Sequence, residues 1–123
     1  MSQVIRLTVP VTTAADGSAT AYSDVATGKV SAVRYVKTDF ADGSTFTLTA
    51  EATGEIIWTE AAVNLSATRA PRQATHTTAG AAALYAAAGT PVNDKIALAN
   101  DRVKIVIAAG GNVKSGTFHI TVE

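Results

Sequence analysis

The sequence predicts an all-β fold, an antiparallel β-sandwich, and three observations carry that prediction. Segments of strand length alternate apolar and polar residues with a period of two, clusters of turn-forming residues separate them, and a single stretch carries helical spacing. Alternation of this kind buries one face of each strand and wets the other, the pattern of two sheets packed face to face.

Taken in order, the first strand is Val4 to Val9, inside the opening MSQVIRLTVPV. The tetrapeptide ADGS follows at Ala15 to Ser18 and recurs at Ala41 to Ser44. Both copies read as turns, with Asp accepting a local backbone hydrogen bond and Gly taking the left-handed corner. The run Lys29 to Lys37 has apolar residues on both faces, Val30, Ala32 and Val36 on one and Val33 and Tyr35 on the other. Cover on both sides is expected, from a second sheet and from a loop or neighbouring subunit. Ser44 to Ala50 is the clearest strand, with Phe46, Leu48 and Ala50 inward and Thr45, Thr47 and Thr49 outward. Glu55 to Thr59 sets Ile56 and Trp58 against Ile57. From Ala61 to Ala79 periodicity fades, as it does in functional loops.

The helical stretch is TTAGAAALYAAAG, where Ala81, Leu84, Tyr85 and Ala88 share a face, Thr78 is the N-cap candidate and Gly89 with Pro91 the stop. It predicts one short helix near residues 79–88, lying on the sheet through Leu84 and Tyr85. Two final strands, Arg102 to Ala108 and Thr117 to Val122, bury Val103, Ile105 and Ile107 and then Phe118, Ile120 and Val122. They are expected to pair as a hairpin across AAGGNVKSG, with Gly110, Gly111 and Gly116 at positive φ.

Composition bounds what such a chain does. Its 123 residues fit a single domain, 1–123, with 47% hydrophobic residues but only 6% aromatic, so the expected core is Val, Ile, Leu and small residues. Ten basic residues cancel ten acidic ones, which disfavours a nucleic-acid or membrane partner. The absence of cysteine removes disulfides, thiol catalysis and Cys-based zinc sites. The N-terminus lacks the continuous apolar run of a secretory signal, so synthesis in the cytoplasm is expected.

The residue types that carry chemistry are scattered. Ser115, His119 and Asp101 are triad types without triad spacing, and His76 stands far from His119 with no carboxylate cluster beside it. Asp39, Asp42, Gly43 and Ser44 lack the closing Glu of a calcium loop, Glu51 lying too far on. GGNVKSG leads into a strand where a phosphate loop opens a helix, and the sequon at Asn64 to Ser66 matters only on a secretory route. The expectation is therefore no enzyme, no cofactor and no metal. Binding surface remains, and the interface candidates are Arg69, Pro71 and Arg72 in the irregular segment and Trp58, with a core position the plainer reading of Trp58.

The opening VPVTTAADGSATAYSDVATGKVSAVRYV, the middle RAPRQATHTTAGAAALYAA and the closing DRVKIVIAAGGNVKSGTFHITVE resemble small virion proteins of tailed bacteriophages, in particular head decoration, or capsid cement, proteins. The resemblance spans nearly the whole chain and rests on strand-and-turn phrases. It implies a jelly-roll-like sandwich on the virion head surface, bound to the major capsid protein and self-associated as a dimer or trimer. A head-tail joining or tail protein is the nearest alternative station. A carbohydrate- or receptor-binding module is the alternative of another class, and it calls for an exposed aromatic platform.

Overall fold

The computed structural model describes residues 3–123. Its strands are β1 (Ile5–Thr12), β2 (Ala19–Tyr22), β3 (Ala26–Lys37), β4 (Ser44–Ala50), β5 (Ile56–Val63), β6 (Ala67–Arg69), β7 (Gln73–Ala74), β8 (Asn93–Asp94), β9 (Ile96–Asp101), β10 (Val103–Ala108) and β11 (Ser115–Val122). One sheet runs β1-β11-β3-β6, with β9 also on β3, and the other runs β2-β10-β4-β5. All pairings are antiparallel. Early and late strands interleave in both sheets, which is the connectivity of a jelly roll.

Alternation decides the layers. Val9 stands opposite Phe118 and Leu7 opposite Ile120 in the first sheet, while Ile105 faces Leu48 and Ile107 faces Phe46 in the second. All eight side chains are buried, so the inner faces meet in a single core. The aromatic residues are few but concentrated. All three phenylalanines, the tryptophan and Tyr35 converge, with Phe118 centred 5.2 Å from Tyr35, 5.1 Å from Phe46 and 6.4 Å from Trp58. The expected aliphatic core is thus corrected: aliphatic residues fill its flanks and an aromatic cluster fills one end.

The expected hairpin between the last two strands does not form. β10 pairs with β2 and β4, β11 pairs with β1 and β3, and the connection crosses from one sheet to the other. A crossing of about 10 Å needs a long link, which accounts for the length of AAGGNVKSG. Of its three glycines only Gly111 is at positive φ, beside Ala109 and Val113. Gly116 lies within β11 for another reason: a Cβ there would meet Phe40 Cε2 at 2.8 Å and Tyr35 Cε1 at 2.9 Å.

Bulges correct two face assignments. Thr121 pairs with Ala32 but Val122 with Val30, so β3 carries an extra residue that brings Val30 and Val33 to the same core face. The opposite face of β3 is open, and Val36 is exposed there. A shift between Leu48 and Thr49 against β5 likewise buries both Ile57 and Trp58 and exposes Ile56. Both ADGS turns have glycine at φ 84°. Asp16 accepts from the Ser18 amide and hydroxyl at 3.0 and 2.7 Å, which holds its carboxyl below the usual range. Asp42 instead pairs with Lys37 at 2.8 Å.

The expected helix at residues 79–88 is absent. The segment forms turns and two isolated bridges, His76 with Ala82 and Leu84 with Pro91. Helical spacing without a surface to pack on leaves a short alanine run unsupported, and Gly80, Gly89 and Pro91 favour turns instead. The position of this segment is informative. β6 pairs with Val33–Tyr35 and β9 with Ala26–Val30 along the same edge of β3. They are two halves of one edge strand, and the chain from Ala70 to Lys95 leaves that strand and returns to it as an arm with β7 and β8 as its stem.

Candidate functional site

Two surface features stand out, and both grow from the interrupted edge strand. The first is a corner where β5 of one sheet meets β6 of the other. Glu60 ends an inward position on β5, and Arg69 lies opposite the core residue Val33 on β3, so both side chains project across the open edge of the sandwich. They meet in a two-point pair, Arg69 Nε to Glu60 Oε1 at 2.7 Å and Nη2 to Oε2 at 2.8 Å. The Trp58 indole N–H donates to the same Oε1 at 3.2 Å. Arg69, first, and then Trp58 favour the charged carboxylate and hold Glu60 below its usual range, against the opposing effect of burial. Glu60 in turn raises Arg69.

The β5–β6 connection borders an open groove of about 570 Å³, lined by Arg34, Glu60 and residues 62–69. Arg34 reaches Thr68 Oγ1 at 3.0 Å. Lys37 Nζ fastens the connection through the Asn64 carbonyl at 2.7 Å, and Asn64 Oδ1 accepts from the Gly43 amide at 2.7 Å. Leu65 stands at the rim, 76% exposed.

The second feature is the arm. From Gln73 to Asn93 it carries no Asp, Glu, Lys or Arg, and its side chains contribute nothing to the core. Its base is anchored by charge on either side. Arg72 Nη1 donates to the Ser31 carbonyl at 3.1 Å and to that of Pro71 at 2.7 Å, and Asp94 pairs with Lys29 at 3.6 Å. The Lys95 amide, donating to the Asp94 carboxylate, and the Lys29 charge lower Asp94 from its usual range.

The four interface candidates thus occupy one neighbourhood, but the fold already uses them. Trp58 is 7% exposed in the aromatic cluster, Arg69 is paired to Glu60, Pro71 is buried and Arg72 clamps the arm's base. Nothing in the sequence pointed to Glu60 as their partner, because the two strands belong to different sheets and meet only at the edge. The reading of residues 79–88 as a helix on the sheet hid the exposure of the arm.

The scattered polar residues are placed apart. Asp101 accepts from the Ala52 and Arg102 amides, His119 Nδ1 lies 3.4 Å from Thr8 Oγ1, and the Ser115 amide donates to Asp39 at 2.6 Å. In GGNVKSG the Gly110 amide donates to the Gly17 carbonyl and the Lys114 amide to Thr13 Oγ1, so both point to the protein itself. Among the described residues no three His, Cys, Asp or Glu side chains converge on a point where a metal could sit. Comparison with protein-family models, with curated proteins and with solved structures gives no match.

Proposed function

We propose that the protein is a non-enzymatic structural protein of a tailed-bacteriophage virion, a decoration or cement protein on the outer surface of the head that stabilises contacts between major capsid protein subunits. The observation that carries this reading is architectural: a jelly roll whose edge strand opens into a largely exposed arm that carries no Asp, Glu, Lys or Arg from Gln73 to Asn93. Surface that the core does not use supports a role in adhesion. The sequence resemblance to head decoration proteins supports the head surface as its station.

The physics of the role is modest contact multiplied. An interface of standard size removes about 1,600 Å² from water, and a protein touching two capsid subunits gains further from effective concentration. Binding only the expanded shell stabilises that shell over other states by linkage. The carbohydrate-binding alternative loses its best candidate platform, since Trp58 is buried among Phe46 and Phe118.

The test is co-sedimentation of the purified protein with expanded heads that lack it. The expected result is saturable uptake at micromolar protein, with a fixed ratio to the major capsid protein. Absence of uptake there overturns the assignment.

A further inference from the structure

We infer that the outer face of the first sheet is a docking surface for an acidic, extended segment of a partner protein, held by Arg6 and Arg34. The inference concerns the chemistry of the partner and holds whatever assembly that partner belongs to.

Register places the surface. Across β1 and β11, Arg6 lies opposite Thr121 and Thr8 opposite His119, and across β11 and β3, His119 lies opposite Arg34. The alternate positions Leu7, Val9, Phe118, Ile120, Val33 and Tyr35 are buried, so the named side chains share the outward face. Arg6 and Arg34 are both exposed. The row ends at Thr68 of β6, whose Oγ1 accepts from Arg34 Nη1 at 3.0 Å. That bond steadies the guanidinium and leaves most of its N–H donors free among the described residues.

Charge decides what fits there. Lys29, Lys37, Arg69, Lys95 and Arg102 are paired with carboxylates, and Arg72 is held by backbone carbonyls. Among the described residues Arg6 and Arg34 have no carboxylate partner, and β1, β3, β6 and β11 contain no Asp or Glu. The face is therefore positive at its centre, and a complementary partner is negative. Its two ends are not positive. Asp39 accepts from the Ser115 amide where β11 begins, and Glu123, paired with Lys95, follows where it stops.

Spacing selects the form of the partner. Arg6 and Arg34 stand two strands and two residues apart, about 12 Å between Cα atoms. An extended chain covers that distance in about four residues, so one segment can set a carboxylate on each arginine. Thr8, Thr121 and His119 lie between them and offer polar groups to its backbone. Arg34 also lines the groove beside the β5–β6 connection, which gives the segment a concave place to enter. A nucleic-acid duplex gains affinity from about six to ten neutralised phosphates, and two arginines bounded by Asp39 and Glu123 do not supply them. The outward positions of β1 and β11 hold no Phe, Tyr or Trp on which single-stranded bases could stack. An anionic membrane calls for a cluster of about four to eight basic residues, which this face lacks.

The experiment is an NMR titration of the isotopically labelled full chain with a peptide of about ten residues, serine and glycine except for two glutamates four positions apart, up to about 5 mM. Amide shifts are expected to move at Arg6, Thr8, His119 and Arg34 and to stay still in β2, β10, β4 and β5. The same peptide with lysine in place of both glutamates is expected to move none of them. Arg6→Gln with Arg34→Gln, which leaves the fold's own ion pairs intact, is expected to weaken the glutamate peptide about fivefold, the loss of two exposed ion pairs. Lys104→Gln, on the other sheet, is expected to bind it as the wild type does. No shift changes on this face at about 5 mM, equal changes with the lysine peptide, or wild-type affinity in the double variant overturns the docking surface. A DNA duplex or vesicles of anionic phospholipid that bind these residues more tightly than the glutamate peptide overturn the choice of a protein partner. None of these outcomes bears on uptake by heads, which is measured separately.

Discussion

Glu60 does the work of a clasp because two sheets end beside it. Its carboxylate takes both forks of Arg69 from the first sheet and the Trp58 indole from its own strand, so it joins the sheets where no backbone ladder can. Its folded-state pKa is depressed, so the stabilisation is present above the unfolded-state pKa and is lost as pH falls through the folded value. Glu60→Gln is expected to lower the melting temperature at neutral pH and to flatten its fall on the acid side, as followed by thermal melts across pH. Tyr35 gives the opposite limb. Burial first, and then the Asp39 charge, push its phenol up to about 12, so it favours folding below the unfolded value and that contribution is lost as pH rises through about 12. Tyr35→Phe is expected to remove this component of alkaline unfolding. An unchanged alkaline profile in Tyr35→Phe would show that the phenol is not held neutral by the fold.

At the scale of the strand, the core is a junction of elements from both sheets. Phe118 of β11 touches Tyr35 of β3, and Phe46 of β4 and Trp58 of β5 across the sandwich. Phe118→Ala is expected to cost about 3–5 kcal/mol, read by denaturant unfolding, from lost burial and the cavity left among rings that cannot close over it. Strands with strict alternation were legible in the sequence, β4, β10 and β11 above all, because period two depends only on which side is wet. Pairing was not legible. β10 and β11 read as hairpin partners since each shows one apolar face, and alternation does not say which sheet a face belongs to. The bulges in β3 and β5 escaped for a similar reason, since one extra residue breaks the period that the reading relies on. The helix at residues 79–88 failed because spacing marks a face, and a face makes a helix only where something packs on it. Of the site, Arg69 and Arg72 were found by type and Glu60 was not, its partner lying on another sheet.

At the scale of the molecule, the jelly roll and the arm divide the labour. The frame holds the whole core, with Glu60 and Arg69 fastening one edge, and the arm adds surface without contributing a side chain to that core. A chain with no net charge is suited to the dense packing that the proposed place on a shell would require. The proposal that this protein works by adhesion is tested most directly by heating expanded, DNA-filled heads with and without it bound and recording the temperature at which DNA is released. The account expects release at a clearly higher temperature when the shell is saturated with the protein. Identical release temperatures for bare and saturated heads would contradict it.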